Sequence, residues 1–345
     1  MGRTQGIHSV NDHPRACGET GRRSGLKIRG SRKGACGFNS HRAHCASATP
    51  LTASSPSPSS SSAAASPAIR NISDTARWAA IHRARETERS DALFRDPYAR
   101  RLAGERGERI AHTLRKTDSR EWPWVMRTVV FDEFIERCIA DGADMIINLA
   151  AGLDARPYRM NLPPSLQWVE IDLPELLEEK RGMLADEKPR CALEHIPLDL
   201  ADVEARRAIF ARLGVRAKRA MIIAEGLLIY LASDQVASLS RDLAAQRTFG
   251  HWAVDICSPG LLRILQKRMG NQLHAAEAPF KFGPPEGPLF FQPHGWSPAD
   301  VRSIMHTAAK HRRLPLFLRL LAMFPPSNGA QGGRPWGGLC LLQRT

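Results

Sequence analysis

From residue 145 onward, short apolar runs alternate with longer stretches of helical periodicity. The apolar runs predict strands at 145–150, about 166–171, about 193–197, 220–224 and about 252–256. Between them, helices are expected at about 174–185, 202–213 and 234–246, the last with Ser233 as a cap. Strand and helix in turn imply a parallel sheet with right-handed crossovers. The expected class is α/β, a doubly wound, mostly parallel sheet whose ligand crevice lies at the carboxyl ends of its strands.

Upstream of the sheet the period is helical throughout. Ser73 or Asp74 can cap a helix over about 75–89, with Ala76, Ala79, Ala80 and Ala84 as a small-residue face. Asp91–Phe94 and Asp96–Tyr98 predict a turn and a second short helix. Val125, Val129, Phe131, Phe134, Ile135 and Ile139 give a helix over about 121–140 its buried face. Arg127 within it reads either as a surface arginine, one paired with Glu133, or an anchor for a carboxylate. These helices form an N-terminal cover over 71–140, ahead of a nucleotide-binding core at 141–257. Residues 258–298 are a candidate substrate lid, rich in Pro and Gly, and 299–345 complete the fold. Phe280, Phe282, Phe290 and Phe291 in the lid either line an apolar pocket or staple a loop to the core.

Periodicity is missing from residues 1–70. Serine, alanine and proline dominate 46–68, a composition that buries too little apolar surface to order itself. The chain's formal net charge is +14, and ten Arg and Lys against Asp12 and Glu19 place +8 of it in this tail. The rest is only mildly basic, so a nucleic-acid-binding domain is a poor description. An Arg- and Ser-rich, acid-poor start also fits an organelle transit peptide, but Gly and Pro interrupt any amphipathic helix, and a dispensable or regulatory tail, or translated sequence upstream of the true start, is the favoured reading. Cys36, His41, His44 and Cys45 match no zinc-site spacing well, and no metal is expected. The seven cysteines form no C-x-x-C pair, which suits a reducing, cytoplasmic setting. No apolar run approaches the roughly 18 residues of a membrane span, and no membrane partner is expected.

Chemistry concentrates at the strand ends. Asp154, Asp172, Asp199 and Glu225 follow the first four strands in succession. Asp172 lies about twenty residues past the first turn, the spacing at which an acid meets ribose hydroxyls. The turn itself, Ala150 to Ala155, lacks the second and third glycines of a pyrophosphate loop and carries Asp154 where a phosphate would be repelled. An acidic rim suits adenosine attached to a cationic, phosphate-free group. S-adenosylmethionine fits this description better than a nicotinamide dinucleotide.

The strings SDTARWAAIHRARETERSDALFRDPYARRLAG (73–104), MRTVVFDEF (126–134), NLAAGLDARPYRM (148–160), WVEIDLPELLEEK (168–180), PLDLAD (197–202) and AEGLLIYL (224–231) resemble the leucine carboxyl methyltransferase family. They are most similar to its bacterial branch of S-adenosylmethionine-dependent O-methyltransferases, which includes polyketide carboxyl methyltransferases. HGWSPADV (294–301) and RPWGGLCLLQR (334–344) extend the resemblance to the end of the chain. It implies a class I methyltransferase fold and S-adenosyl-L-methionine as cofactor. Arg127 would bind the cofactor's carboxylate. Ala150 to Gly152 would form the turn beneath it, Asp172 would take the ribose hydroxyls, and Asp199 with Leu200 would hold the adenine. Glu225 would stand near the amino group and methyl. The family commonly has glycine where Ala150 stands, and the added methyl is expected to crowd the cofactor.

A sulfonium methyl is already activated, and a carboxylate acceptor needs no general base, so no catalytic side chain is assigned. Tyr230 is expected to pack on a neighbouring helix rather than to face the acceptor. His82, His251 and His294 read as satisfied structural histidines. The leading function is methylation of a small-molecule carboxylic acid. A protein C-terminal carboxyl methyltransferase, marked by basic residues around the acceptor, is the second reading. A non-catalytic or tail-driven binder is the third, and a dehydrogenase a weaker fourth.

Overall fold

The computed structural model describes residues 72–114, 121–275, 278–325 and 334–345. The chain divides into two units, Met1–Ser62 and Ala63–Thr345, and every described residue lies in the second. The expected disordered tail, with Cys36, His41, His44 and Cys45, falls outside the described residues.

Three helices come first: α1 (Ile72–Thr87), α2 (Ala99–Leu114) and α3 (Trp122–Ala140). The chain is already helical at Ile72, so Asp74 sits inside the first turn rather than capping it. Its carboxylate instead accepts from Arg106 Nε of α2 at 3.0 Å. The range of α2 covers two short helical stretches that meet at a kink at Gly104 (φ 57°), so the short helix expected after Tyr98 is followed by a second one. Gly107 lets α1 and α2 close up, since a Cβ there would lie 3.2 Å from the Arg77 carbonyl oxygen.

The sheet follows: β1 (Met145–Leu149), α4 (Arg156–Arg159), β2 (Gln167–Asp172), α5 (Pro174–Met183), β3 (Ala192–Pro197), α6 (Val203–Arg216), β4 (Ala220–Ala224), α7 (Ser233–Ala244) and β5 (Phe249–Cys257). Then come α8 (Pro259–Ala275), β6 (Trp296–Ser303), α9 (Ile304–Lys310), α10 (Leu316–Arg319) and β7 (Gly337–Arg344). The strand order is β3-β2-β1-β4-β5-β7-β6. Strands β1 to β5 pair in parallel, and β7 is antiparallel to both of its neighbours.

Burial explains which strands were readable. Every residue of β1 (MIINL) and β4 (AMIIA) is buried, the continuous apolar run of a strand covered on both faces. At the edge, β3 is mostly half-exposed and keeps Glu194 and His195. Helix α6 starts behind Asp202, whose side chain accepts from Ala205 N at 3.0 Å. Ser233 is not the cap of α7. It is the first helical residue, and the Ala232 N–H ahead of it donates to Gln235 Oε1 at 2.8 Å. The four described cysteines, Cys138, Cys191, Cys257 and Cys340, are buried free thiols. Strand order reverses between β1 and β4, which opens a crevice at their carboxyl ends.

Candidate active site

A cavity of about 1510 Å3 follows this crevice along the carboxyl ends of β1 to β5. Arg127, Ala150, Gly152, Asp172, Asp199, Leu200 and Glu225 all line it. The structure thus gathers all seven candidate residues on one wall.

The turn after β1 shows why small residues stand there. Ala150 and Gly152 have φ of 50° and 54°, in the left-handed region. Glycine enters that region freely, whereas alanine does so at a cost. A Cβ on Gly152 would sit 3.3 Å from the Ala76 methyl of α1. The turn is tied to β2 by Ala151 N donating to Ile171 O at 3.3 Å, and by Gly152 N donating to Asp172 Oδ2 at 2.6 Å. The other Asp172 oxygen accepts from Leu173 N at 2.7 Å. Burial raises the Asp172 pKa, against the pull of these two N–H groups. Each oxygen retains a second lone pair for a ligand hydroxyl. Asp199 is exposed and accepts from Ala201 N at 2.9 Å, while the Leu200 carbonyl accepts from Arg206 Nη1 at 2.9 Å.

Arg127 is neither a surface residue nor a partner of Glu133, which pairs with Arg302 instead. Its Nε donates to Glu225 Oε1 at 2.9 Å and its Nη1 to Asp255 Oδ2 at 3.3 Å. The guanidinium lies over Trp124, 4.7 Å from the ring centre. Nη2 has no partner among the described residues and remains able to donate to a carboxylate.

Asp154 lines the cavity with the other strand-end acids, but its charge is balanced within the chain. It is buried, accepts from Asn148 Nδ2 at 2.9 Å, and pairs with Arg156 Nη1 at 2.8 Å. Burial opposes its ionisation, but Arg156 overrides this and depresses its pKa. The same guanidinium reaches Glu225 Oε2 at 2.8 Å and Asp132 Oδ1 at 2.6 Å. Burial also works against a charged Glu225, yet Arg156 and Arg127 outweigh it and lower its pKa. Glu225 is therefore a carboxylate held between two arginines.

Asp255 and Arg156 carry as much of this network as the residues the sequence singled out. Asp255 Oδ1 accepts from Gly226 N at 2.6 Å, and Gly226 has φ of 70° with Arg127 packed against it. A signal for Asp255 was present, since it is the one charge in the apolar run WAVDIC. Arg156 had no comparable signal, because two of its three acid partners, Asp132 and Glu225, lie in distant segments.

Tyr230 faces the cavity, with its ring 5.3 Å from Phe280 and its hydroxyl bonded to Thr75 of α1. Burial raises its pKa, so it stays protonated near neutrality. His82 is structural but not satisfied. It is stacked on Trp124 at 5.3 Å, neither ring nitrogen has a hydrogen-bond partner among the described residues, and burial lowers its pKa to about 3. The four lid phenylalanines divide. Phe280 and Phe282 line the cavity, whereas Phe291 is fully buried 5.3 Å from Trp252 with Phe290 beside it. The outer wall also draws on 303–306, 318–325 and 334–337, for which the sequence suggested no role. There His306 Nε2 donates to the Phe324 carbonyl at 2.9 Å.

Comparison with known proteins agrees with this geometry. The family model described as Leucine carboxyl methyltransferase matches residues 76–244, a span that includes all seven candidate residues. A Streptomyces avermitilis protein, described as "Putative S-adenosyl-L-methionine-dependent methyltransferase", is 31% identical over 254 residues, 69% of this chain and 87% of its own. A Frankia alni protein of the same description is 35% identical over 187 residues, 51% of this chain and 65% of the relative's length. One from Mycobacterium tuberculosis is 36% identical over 207 residues, 55% of this chain and 67% of its own. The matched part of the chain therefore spans only about two thirds of those last two relatives. The fold is shared with a Thermobifida fusca crystal structure titled as a methyltransferase, at TM-score 0.51 and 17% identity, covering 81% of this chain and 96% of that one. With this cavity and these relatives, the chain belongs to the leucine carboxyl methyltransferase family of S-adenosylmethionine-dependent methyltransferases.

Proposed function

We propose that the protein transfers the methyl of S-adenosylmethionine to a carboxylate of a small, largely apolar molecule. One observation carries this reading: the polar cofactor wall continues, within a single cavity, into an apolar chamber. Trp78, Trp124, Tyr230, Phe280, Ile304 and Trp336 are among its lining. The cofactor's residues fit their ligand. Asp172 and Asp199 have oxygens to accept hydroxyl and amine protons, and Arg127 Nη2 is available to a carboxylate. Glu225 and Asp255 add negative charge beside it, which favours a sulfonium and an ammonium.

Bound S-adenosylmethionine supplies a methyl already activated for in-line displacement. The chain's own work is to position and to exclude water. The apolar chamber strips water from the incoming carboxylate, and an ionised acid has no proton for a base to remove. A protein C-terminus is the weaker acceptor. Arg83, Arg127, Arg156 and Arg206 of the lining are all committed to acids of the chain. Arg334, exposed at the outer wall, is the lining arginine with no acid partner among the described residues. A single such cation suits one carboxylate.

Calorimetry on the full chain tests the cofactor assignment. S-adenosylmethionine should bind the parent, and Asp172→Ala should weaken it by about tenfold or more through lost charge-assisted hydrogen bonds. Equal binding by the variant would remove Asp172 from the site. Labelled methyl transfer should then appear with aromatic and aliphatic carboxylic acids, and not with the matching phenols or with peptides. Transfer confined to phenols would refute the carboxylate reading.

A further inference from the structure

Six of the ten large apolar side chains exposed among the described residues fall within nine positions. They are Leu316, Phe317, Leu320, Leu321, Met323 and Phe324. Scattered exposed hydrophobes need no explanation, but a contiguous patch does. The segment is helix α10 followed by a 3-10 turn at Leu321–Met323, and its other side is already used. Leu318 and Ala322 pack inward on the cluster that holds Val125 and Val129 of α3. The outward face is apolar as well, which is the reverse of an ordinary surface helix.

The stretch of chain that carries this face is basic. Residues 301–345 contain seven Arg and Lys and no Asp or Glu. Arg302 is paired with Asp300 and Glu133, and Arg313 with Glu86 and Asp91, so these two arginines are neutralised. Lys310, Arg312 and Arg319 are exposed and have no acid partner among the described residues. We propose that residues 316–324, with Lys310, Arg312 and Arg319, form a docking face for an anionic lipid surface beside the mouth of the cavity.

The sign of the charge selects this occupant. A second copy on a symmetric contact would bring the same cations together, and residues 1–70 carry +8 themselves. Exposed rings and aliphatic chains flanked by cations are what an interfacial segment presents to headgroups and upper acyl chains. The contact is interfacial because, among the described residues, no helix is long and apolar enough to cross a membrane. A membrane contact departs from the expectation drawn from the sequence, which had considered only a spanning helix. Leu318, Leu321 and Phe324 also line the cavity, so the docked segment is at once its outer wall. If the acceptor is an apolar acid, as proposed above, it would pass from the lipid surface into the chamber along this wall.

Vesicle sedimentation of the full chain tests the docking without any methyl transfer, so its outcome is independent of the proposed activity. The parent should pellet with phosphatidylcholine vesicles containing phosphatidylglycerol and far less with phosphatidylcholine alone. The basic tail attracts anionic vesicles by itself, so the reading is the difference made by a triple variant, Leu316→Asn, Phe317→Asn and Leu320→Asn. These three side chains do not line the cavity. The variant should partition about tenfold or more weakly at equal salt, with an unchanged urea midpoint. Lys310→Gln with Arg312→Gln should weaken binding at low salt and little at high salt. Equal pelleting of the parent and the triple variant would overturn the proposal. So would a parent dimer that the triple variant converts to monomer in sedimentation velocity, which would assign the face to a second copy.

Discussion

The two walls of the cavity are built on opposite principles. The cofactor wall is polar and cross-tied. Arg156 alone joins Asp132, Asp154 and Glu225, and Arg127 joins Glu225 to Asp255. The outer wall is apolar and draws on α1, the start of α3, α8, the loop at 278–282 and the segments 303–306, 318–325 and 334–337. On the proposed reading, one wall needs fixed charges at fixed positions, because the cofactor is the same in every turnover. The other needs shape and dryness, which many residue combinations supply. Mutation should therefore affect them differently. Changes in the first should unsettle the fold along with binding, and changes in the second should alter acceptor use alone.

The largest effect is expected at Arg156. Its side chain is 3% exposed, so removing it leaves Asp154 without its cation and leaves Glu225 and Asp132 with one arginine each, Arg127 and Arg159. Arg156→Met should cost about 3–5 kcal/mol in urea unfolding, the usual penalty for breaking a buried ion network. A loss below ~1 kcal/mol would show the network to be dispensable to the fold.

His82 lies beneath the boundary between the walls, between Trp78 and Trp124, and ties stability to pH. Its folded pKa is lowered from 6.5 to about 3 by burial, with Arg85, Arg127 and Arg83 adding to the effect. The unfolded chain therefore takes up this proton first. Stability is fully present above about pH 6.5 and falls as the pH drops toward 3, by up to about 1.4 kcal/mol per unit. Between pH 6.5 and 5 the loss is about 2 kcal/mol on this account. His82→Phe should flatten the slope of the urea midpoint against pH in that window. An unchanged slope would show that other groups, the paired carboxylates above all, carry the acid sensitivity.

Phe280 provides the contrast on the outer wall. Phe280→Ala should raise KM for an apolar acid about tenfold, near 1.4 kcal/mol, while calorimetry with S-adenosylmethionine stays unchanged. Equal losses in both would mean that the walls are not separable.

The same contrast explains what could be read from the chain. Strands β1 and β4 are wholly buried, so their composition alone marks them, and Asp172 and Glu225 follow at strand ends where polarity returns abruptly. Strand β6 carries no such mark, because it alternates Pro, Asp and Arg at a sheet edge, whereas β7 holds a buried apolar run, GLCLL, that pattern alone had not assigned. The family resemblance, not the pattern, reached them. The pairs Arg156–Glu225, Arg156–Asp132 and Arg127–Asp255 join residues from distant segments, which spacing along the chain does not report. The apolar wall was harder still. Phe280 and Phe291 stand eleven positions apart in one Pro- and Gly-rich stretch, yet one lines the cavity and the other fills the core beside Trp252. Composition cannot separate them, because both fates bury a ring.

The smallest effect is also the most pointed, because it concerns Ala150, where the family resemblance led to an expectation of glycine. Ala150 was expected to crowd the cofactor with its methyl. The backbone adds a second consequence, for Ala150 is held at φ 50°. An alanine in that region is strained by roughly 1 kcal/mol, which a glycine would not pay in contacts but partly returns as greater freedom in the unfolded chain. Ala150→Gly should therefore raise stability by at most about 1 kcal/mol. Its effect on S-adenosylmethionine separates the two consequences. If the methyl crowds the ligand, affinity should rise along with stability. If strain is the whole cost, the urea midpoint should move while calorimetry stays constant, since the strain is present with and without ligand. Weaker binding by the glycine variant would contradict both accounts. It would mean that Ala150 stiffens the turn that presents the Gly152 N–H to Asp172, and so keeps that carboxylate in place.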